Sequence, residues 1–333
     1  MRVKYISFLI LALCLLSVVV GLLNVNKGKY LKKACPASSK NAFLGKFSAG
    51  GNKIALITLQ GAISNETASN FLGDSKSADS VLKAIKKASA DKTVKGVLFR
   101  INSPGGTVAM SQEIYSSVMK LREKKPVVVS MADIAASGGY YVACAADRIY
   151  ANPGTLTGSI GVILETVNVK GLLTDKLGIK SEVIKSGKFK DTGSPYRPLR
   201  DDERELLNNL VLNAYGQFVD AITQGRINRK DNYKIEKIDL NKENLEKYAD
   251  GRIFSGEQAL EYGFVDKLGG LAQATEDIKK MANEPEKTPV VDYTKSTGIG
   301  DFWFNISESN SSKLENLLPL SRKFSRQPLY IWE

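Results

Sequence analysis

The sequence predicts an α/β fold built around a parallel β-sheet that is covered by helices on both faces. The first observation is that predicted strands and helices alternate between residues 53 and 145. The second is that the strands are almost continuously apolar, as in the VLF segment at 97–99 and the VVV segment at 127–129. Strands of that kind are buried on both faces, and their alternation with helices is typical of a parallel sheet between helical layers.

The individual elements follow from hydrophobic periodicity. Short apolar runs that end at turn residues predict strands at 54–59, 94–101 and 126–131. Apolar residues that recur at helical spacing, such as Val81, Leu82, Ile85 and Ala88, predict helices. The predicted helices span residues 80–90, 111–124, 137–145, 201–224, 257–262 and 271–281.

The two ends of the chain differ from this domain. Residues 5–23 are apolar and uncharged, and a helix of nineteen residues spans roughly the ~30 Å hydrocarbon core of a bilayer. No small-residue cleavage site follows, so residues 1–27 are predicted to be an uncleaved membrane anchor. Positive charges nearly balance on its two sides and do not fix the orientation. Residues 28–52 form a polar linker, residues 53–282 the globular domain, and residues 283–333 a C-terminal extension.

Composition excludes several classes of function. The chain contains no histidine, which excludes a Ser-His-Asp triad and histidine metal sites. Cys14, Cys35 and Cys144 lack metal-ligand spacing, and no cofactor or metal is expected. The net charge is +12, but the basic residues are scattered among acidic ones, which argues against nucleic-acid binding.

Two glycine-containing turns follow predicted strands. Residues 102–107 (NSPGGT) are either a tight strand-to-helix turn or an oxyanion hole, in which bare backbone N–H groups face a developing negative charge. Residues 135–141 (AASGGYY) place Ser137 between small neighbours at the start of a helix. Ser137 is therefore either a helix N-cap or a nucleophile near the positive end of a helix.

A hydrolase without histidine needs another general base, and lysine is the plausible one. Lys185, Lys188 and Lys190 lie close together in the segment KSGKFKD at 185–191. Either all three are solvated surface lysines, or one of them is desolvated. Loss of hydration favours the neutral amine, which can then take the proton of a serine. On an extended segment Lys188 and Lys190 would share a face, so spacing alone does not choose between them. Ser159, in the turn TGSIGV at 157–162, could hold the lysine amine by a hydrogen bond.

Together with the segment DGRIFSG at 250–256, these blocks resemble the signal peptide peptidase A family, in its short bacterial form with one catalytic domain. The resemblance runs from about residue 53 to residue 282 and includes the anchor. It implies that Ser137 is the nucleophile, Lys190 rather than Lys188 the base, and Ser159 the residue that orients the base. Gly106 and Gly138 would donate the oxyanion-hole N–H groups. The implied fold is the twisted β-superhelix with outer helices of the Clp protease and the crotonases.

The resemblance also implies a setting. It predicts a single-pass protein of the cell membrane whose catalytic domain lies outside the cytoplasm and cleaves remnant signal peptides and other apolar peptides. A homo-oligomeric ring, an octamer, is implied, in which Ser137 and Lys190 can come from neighbouring subunits. A further hypothesis is that the C-terminal extension enters the active site of its own chain or of a neighbour.

Two other functions fit the same fold. The first is an acyl-CoA hydratase or isomerase of the crotonase type, which would need an acidic pair beside the glycine turns. The second is a catalytically inactive membrane scaffold. The sequence shows no such acidic pair, and the joint presence of Ser137, Ser159 and Lys190 argues against an inactive scaffold.

Overall fold

The structure, a computed structural model, describes residues 51–65, 78–228, 240–294 and the backbone of 329–331. The predicted anchor, most of the predicted linker, Cys14 and Cys35 lie outside these residues. Among the helices of the described part, none has the length and apolar character needed to cross a membrane. Cys144 is a buried free thiol, and burial raises its pKa to about 12.

The core of the described domain is a β-sheet of eight strands. These strands are β1 (Lys53–Gln60), β2 (Val94–Ser103), β4 (Val127–Ala136), β5 (Arg148–Ala151), β6 (Leu156–Gly158), β7 (Ile253–Ser255), β8 (Lys267–Leu268) and β9 (Val290–Asp292). Two shorter strands, β3 (Gly105–Thr107) and β10 (Leu329–Ile331), pair with each other. The order across the sheet is β7-β6-β4-β2-β1-β9, and β5 pairs with β4 and β8.

The predicted parallel arrangement is confirmed for every pair of the main sheet except β6 with β7, which is antiparallel. The sheet divides at β4, because β5 pairs with residues 128–130 and β6 with residues 134–136. The first half of β4 therefore lies beside β5, and its C-terminal half lies beside β6. The residue that follows β4 is Ser137.

Helices cover both faces of the sheet, as predicted. They are α1 (Ala78–Ala90), α2 (Val108–Arg122), α3 (Gly138–Ala143), α4 (Asp201–Ile222), α5 (Lys242–Tyr248), α6 (Gly256–Glu261) and α7 (Leu271–Met281). α1 packs its apolar stripe, including Val81 and Ile85, into the larger core cluster. α7 covers the other face, where Ile278 lies against Gly96 of β2. Burial of such stripes contributes about 25 cal/mol per Å² of apolar surface.

α4, predicted as a helix over residues 201–224, has apolar residues that recur at helical spacing and form a stripe. Its apolar stripe is buried only in the C-terminal half, where Phe218 and Ile222 are fully enclosed. Leu206 and Leu210, on the same stripe, are about half exposed. Helical periodicity shows which residues share one face of a helix, but not what that face packs against. The sequence therefore could not show that only part of the stripe is buried in the core of its own chain.

The sheet continues beyond residue 282, because β9 pairs with the edge of β1. Tyr293 then donates a hydrogen bond to Asp91 at the end of α1. Asp91 also forms an ion pair with Lys53 at the start of β1. The first part of the predicted extension is therefore tied to the sheet through residue 294.

Candidate active site

The glycine turns that the sequence singled out meet at the carboxyl ends of β2 and β4, where sites form in parallel sheets. Asn102, at the end of β2, donates a side-chain hydrogen bond to Asp133 and accepts one from the N–H of Ile134, both at 3.2 Å. These contacts join the ends of the two strands. They bring the NSPGGT turn beside the AASGGYY turn.

Ser137 has a backbone conformation that is unusual for serine. It lies between β4 and α3 with φ of 53° and ψ of −120°, and it is 1% exposed. Its N–H donates to the carbonyl of Gly158 at 2.8 Å, while its side chain makes no capping hydrogen bond to α3. Ser137 therefore occupies the N-cap position of α3, where its carbonyl accepts the N–H of Tyr141 at 2.8 Å, but its hydroxyl does not cap the helix. A positive φ at a non-glycine residue costs about 1–3 kcal/mol, and such strain concentrates at functional sites.

The two turns near Ser137 require glycine at positions 139 and 105. A Cβ on Gly139 would lie 2.7 Å from the carbonyl oxygen of Ser103, so only glycine fits without a backbone shift. Gly105 has a φ of 108°, and its N–H donates to the Ser103 hydroxyl at 3.1 Å. Ser103 thereby fixes the turn that leads into β3. Ser103 was not among the residues predicted from the sequence, and its position beside the Pro-Gly-Gly turn was the available signal.

The backbone of β3 has two edges with different partners. Ile63 donates to the carbonyl of Gly105 and accepts from the N–H of Thr107, both at 2.8 Å. Because successive backbone groups of a strand point to opposite sides, the N–H and C=O of Gly106 point away from Ile63. β10 runs antiparallel along that edge, with Tyr330 opposite Gly106. The edge that carries the Gly106 N–H therefore accepts a peptide backbone as an antiparallel strand.

A cavity of about 300 Å³ adjoins the end of β3. It lies between the first turn of α2 and the middle of α4. Its lining is mixed, with apolar and amide side chains: Thr107, Val108, Ala109, Gln112, Leu210, Asn213, Ala214 and Gln217. A side chain of a strand paired with β3 could enter it.

Ser159 lies at the neighbouring strand end. Gly158, the last residue of β6, pairs with Ala136, the last residue of β4. Ser137 and Ser159 therefore follow paired residues on adjacent strands. Ser159 also has a positive φ, 51°, is largely buried, and donates its N–H to the carbonyl of Arg252 at 2.7 Å. The structure thus brings both predicted serines to the same end of the sheet, at the carboxyl ends of β4 and β6.

The lysine block adopts a turn, not the extended conformation considered from the sequence. Lys185 forms an ion pair with Asp191 at 2.5 Å, and Lys188 forms one with Asp202 at 2.6 Å. Lys190 is exposed, and its side chain makes no ion pair or hydrogen bond within the described residues. Lys190 is therefore distinguished from its neighbours by the lack of a carboxylate partner in this part of the chain. Within the same residues, no hydrogen bond links Lys190 to Ser137 or Ser159.

A dense ionic cluster adjoins Lys190. Arg197 binds Asp191 and Glu203 together, and these contacts hold the pKa of Asp191 well below its usual range. Hydrogen bonds from Arg197 likewise lower the pKa of Glu203 to about 2. Sequence reasoning missed Arg197 and Glu203. The R-x-x-E spacing at 200–203, which forms a capping pair in the structure, was the available signal.

The segment that carries Lys190 exposes many apolar side chains. Between residues 163 and 196 the following are at least 44% exposed: Ile163, Val167, Leu172, Leu177, Ile179, Val183, Ile184, Phe189 and Tyr196. Ile184 is fully exposed. Single exposed apolar residues are ordinary, but nine of them within one segment favour an interaction surface.

No cluster of three or more acidic or cysteine side chains that could hold a metal ion occurs in the described ranges. Asp133 lies beside the glycine turns and pairs with Asn102. A second carboxylate does not hydrogen-bond there among the described residues. The glycine turns thus combine a buried, strained serine with a strand edge that carries a backbone N–H group.

Two family models and several known proteins match this chain. A family model described as Peptidase family S49 matches residues 119–284, and one described as Clp protease matches residues 67–155. The chain is 43% identical over 236 residues to "Putative protease slr0021" of Synechocystis sp., covering 71% of this chain and 76% of that protein. It is 35% identical over 257 residues to "Putative signal peptide peptidase SppA" of Enterococcus faecium, covering 77% and 71%. It is 34% identical over 265 residues to "Serine protease SPPA, chloroplastic" of Arabidopsis thaliana, covering 78% and 37%.

Proposed function

Because the chain belongs to peptidase family S49 and has a Clp protease-like α/β fold, we propose that it is a serine endopeptidase with Ser137 as nucleophile and Lys190 as general base. The observation that carries this proposal is the strained, enclosed backbone of Ser137 beside an edge that accepts an antiparallel strand. Ser159 orients the lysine amine. Gly106 and Gly138 form the oxyanion hole.

The reaction proceeds in two stages. The Ser137 Oγ attacks the scissile carbonyl carbon while its proton moves to the neutral Nζ of Lys190. The carbonyl oxygen becomes negative and accepts hydrogen bonds from the N–H groups of Gly106 and Gly138. The C–N bond breaks as Nζ returns the proton to the leaving amine, which leaves an acyl-enzyme. Water then attacks that ester, with the same amine as base, and releases Ser137.

The lysine comes from a neighbouring subunit in this proposal. Two observations support it: Lys190 is exposed and unpaired within the described part of one chain, and it lies on a segment with many exposed apolar side chains. Burying that segment against a second copy would remove apolar surface from water and desolvate the amine. A homo-oligomeric ring, an octamer, would repeat this contact around a closed symmetry.

The substrates are remnant signal peptides and other apolar peptides. Support comes from the relative named signal peptide peptidase and from the edge of β3 that pairs with β10 as an antiparallel strand, beside a cavity that Val108, Leu210 and Ala214 help to line. The apolar run at residues 5–23 would anchor the chain in the cell membrane, with the catalytic domain outside the cytoplasm. No cofactor, metal or nucleic acid takes part.

The two other candidate functions have less support. A crotonase-type hydratase would need an acidic pair, and the glycine turns have only Asp133 beside them among the described residues. An inactive scaffold would have no need of the strained conformation of Ser137, which costs stability without helping the fold.

Labelling with a fluorophosphonate probe tests the proposed nucleophile and base. Wild-type protein is expected to label at Ser137, and the Ser137→Ala variant is expected not to label. Lys190→Ala should label far more slowly, because the hydroxyl then lacks its base. Lys188→Ala is the matched control, since Lys188 is two residues away and paired with Asp202; it should label at the wild-type rate. Wild-type labelling of Lys190→Ala would refute Lys190 as the base.

The pH dependence of hydrolysis gives a second check. Activity on a fluorogenic apolar peptide is expected to rise with pH across the range from about 6 to 10, because only the neutral lysine amine can take the serine proton. Initial rates of wild-type protein would be measured, with Ser137→Ala as the background at each pH. A flat profile over that range would contradict a lysine base.

A further inference from the structure

We propose that Glu203 is a positioning residue for Lys190, acting through Arg197 and Arg200 on the backbone at both sides of the lysine. This inference rests on the proposed function, since it assumes that Lys190 is the base. It assigns a role in the reaction to a carboxylate that does not touch the reacting atoms.

Glu203 has more partners than a helix cap requires. It lies in the first turn of α4 and is 0% exposed. Its Oε2 accepts from the backbone N–H of Arg200 at 3.1 Å, which is the capping contact. It also accepts from Arg197 Nη1 at 2.7 Å and Nη2 at 2.5 Å, and it contacts Arg200 Nη2 at 2.8 Å. A buried carboxylate with a two-pronged arginine contact is strongly oriented.

The two arginines connect Glu203 to the backbone on both sides of Lys190. Arg200 Nη2 donates to the carbonyl of Lys188, and Arg197 Nη2 donates to the carbonyl of Asp191, both at 3.1 Å. Lys190 lies between these two carbonyls in the chain, and its own N–H donates to Gly187 at 3.2 Å. The backbone at Lys190 is therefore held on both sides by groups whose positions depend on Glu203.

The same cluster controls where the nearby negative charges lie. Asp191 is engaged by Arg197 and Lys185, and Asp202 by Lys188 and Arg200. A carboxylate beside the base would favour its protonated form and oppose catalysis. Because every described carboxylate of the turn has a partner among these cations, the Lys190 amine is left without one in this part of the chain.

A comparison of Glu203→Gln with Asp201→Asn tests this role in the full-length protein. Both changes remove one charge from the first turn of α4, but Asp201 is exposed and makes no described side-chain contact. Glu203→Gln is expected to lower kcat by about 10- to 100-fold, because small misplacement of a catalytic group is costly, while KM changes little. The pH of half-maximal kcat/KM should also change, because the Lys190 amine would sit differently relative to the charges of Arg197, Arg200 and Asp191. Asp201→Asn should match wild type in kcat, in KM and in the pH of half-maximal kcat/KM.

The outcomes separate this inference from the proposed function. A merely structural role for Glu203 would lower the melting temperature but leave kcat per folded enzyme and the pH midpoint unchanged, which would overturn the inference. If Lys190→Ala were fully active, the proposed base itself would fail. Should Glu203→Gln not fold, Arg197→Lys decides the matter, because it keeps the charge and loses the two-pronged contact. An unchanged kcat and pH midpoint in Arg197→Lys would then overturn the inference.

Discussion

Mixing Ser137→Ala chains with Lys190→Ala chains in equal amounts is expected to restore about a quarter of wild-type activity, provided the subunits of the ring exchange at random. Each variant alone should lose about 10³-fold or more in kcat, because the nucleophile and its base act as a unit. In the mixture, a site is active when the serine of one chain meets the lysine of its neighbour.

The reason to expect complementation is the location of Lys190. It is exposed on a segment that also exposes Ile184 and Phe189, while Ser137 is enclosed at the end of β4. A catalytic lysine must lose water to become a good base, and the described part of a single chain leaves it hydrated. A second chain is the simplest source of the missing cover.

The measurement is hydrolysis of a fluorogenic peptide after the two variants are co-expressed or dissociated and reassembled together. Each variant, carried alone through the same dissociation and reassembly, provides the background. Co-assembly would be verified by two different affinity tags. A co-assembled mixture that remains inactive would show that Ser137 and Lys190 belong to the same subunit.

Replacing Asp266 by asparagine is expected to destabilise the domain by about 3–5 kcal/mol, because it leaves a buried arginine charge without its partner. Arg226 is 0% exposed and forms contacts of 2.7 and 3.0 Å with the two carboxylate oxygens of Asp266. Burial alone would lower the pKa of Arg226, but the charge of Asp266 outweighs burial and raises it. Asp266 also accepts the N–H of Ile149 at 2.7 Å.

The free energy of unfolding would be obtained from urea titrations at fixed protein concentration, since assembly affects apparent stability. Glu246→Gln, which removes one partner of the exposed pair with Lys242, is the control and should have little effect. The double variant Arg226→Met with Asp266→Leu should be more stable than Asp266→Asn alone, because no unpaired charge stays buried. Equal stability of Asp266→Asn and Glu246→Gln would contradict this account.

Much of the fold could be predicted because its strands and helices have local signatures. β1, β2 and the first half of β4 are apolar runs, and α1 and α7 repeat apolar residues at helical spacing, so each appeared close to its predicted position. The antiparallel pairing of β7 and the continuation of the sheet into β9 were not predicted. Both depend on which short strands meet in space, and three-residue strands have almost no periodicity of their own.

By itself the sequence determined the chemistry that is available: without histidine, a hydrolase needs a base such as Lys190, and small residues around Ser137 leave room for a peptide. Only the tertiary structure decided that Ser137 is strained, that Ser159 lies at the adjacent strand end, and that Lys188, unlike Lys190, has a carboxylate partner among the described residues. The physical reason is that backbone strain and ion pairing arise from contacts between distant segments, such as Ser137 with Gly158 and Arg197 with Glu203. Residue spacing along the chain does not contain those contacts.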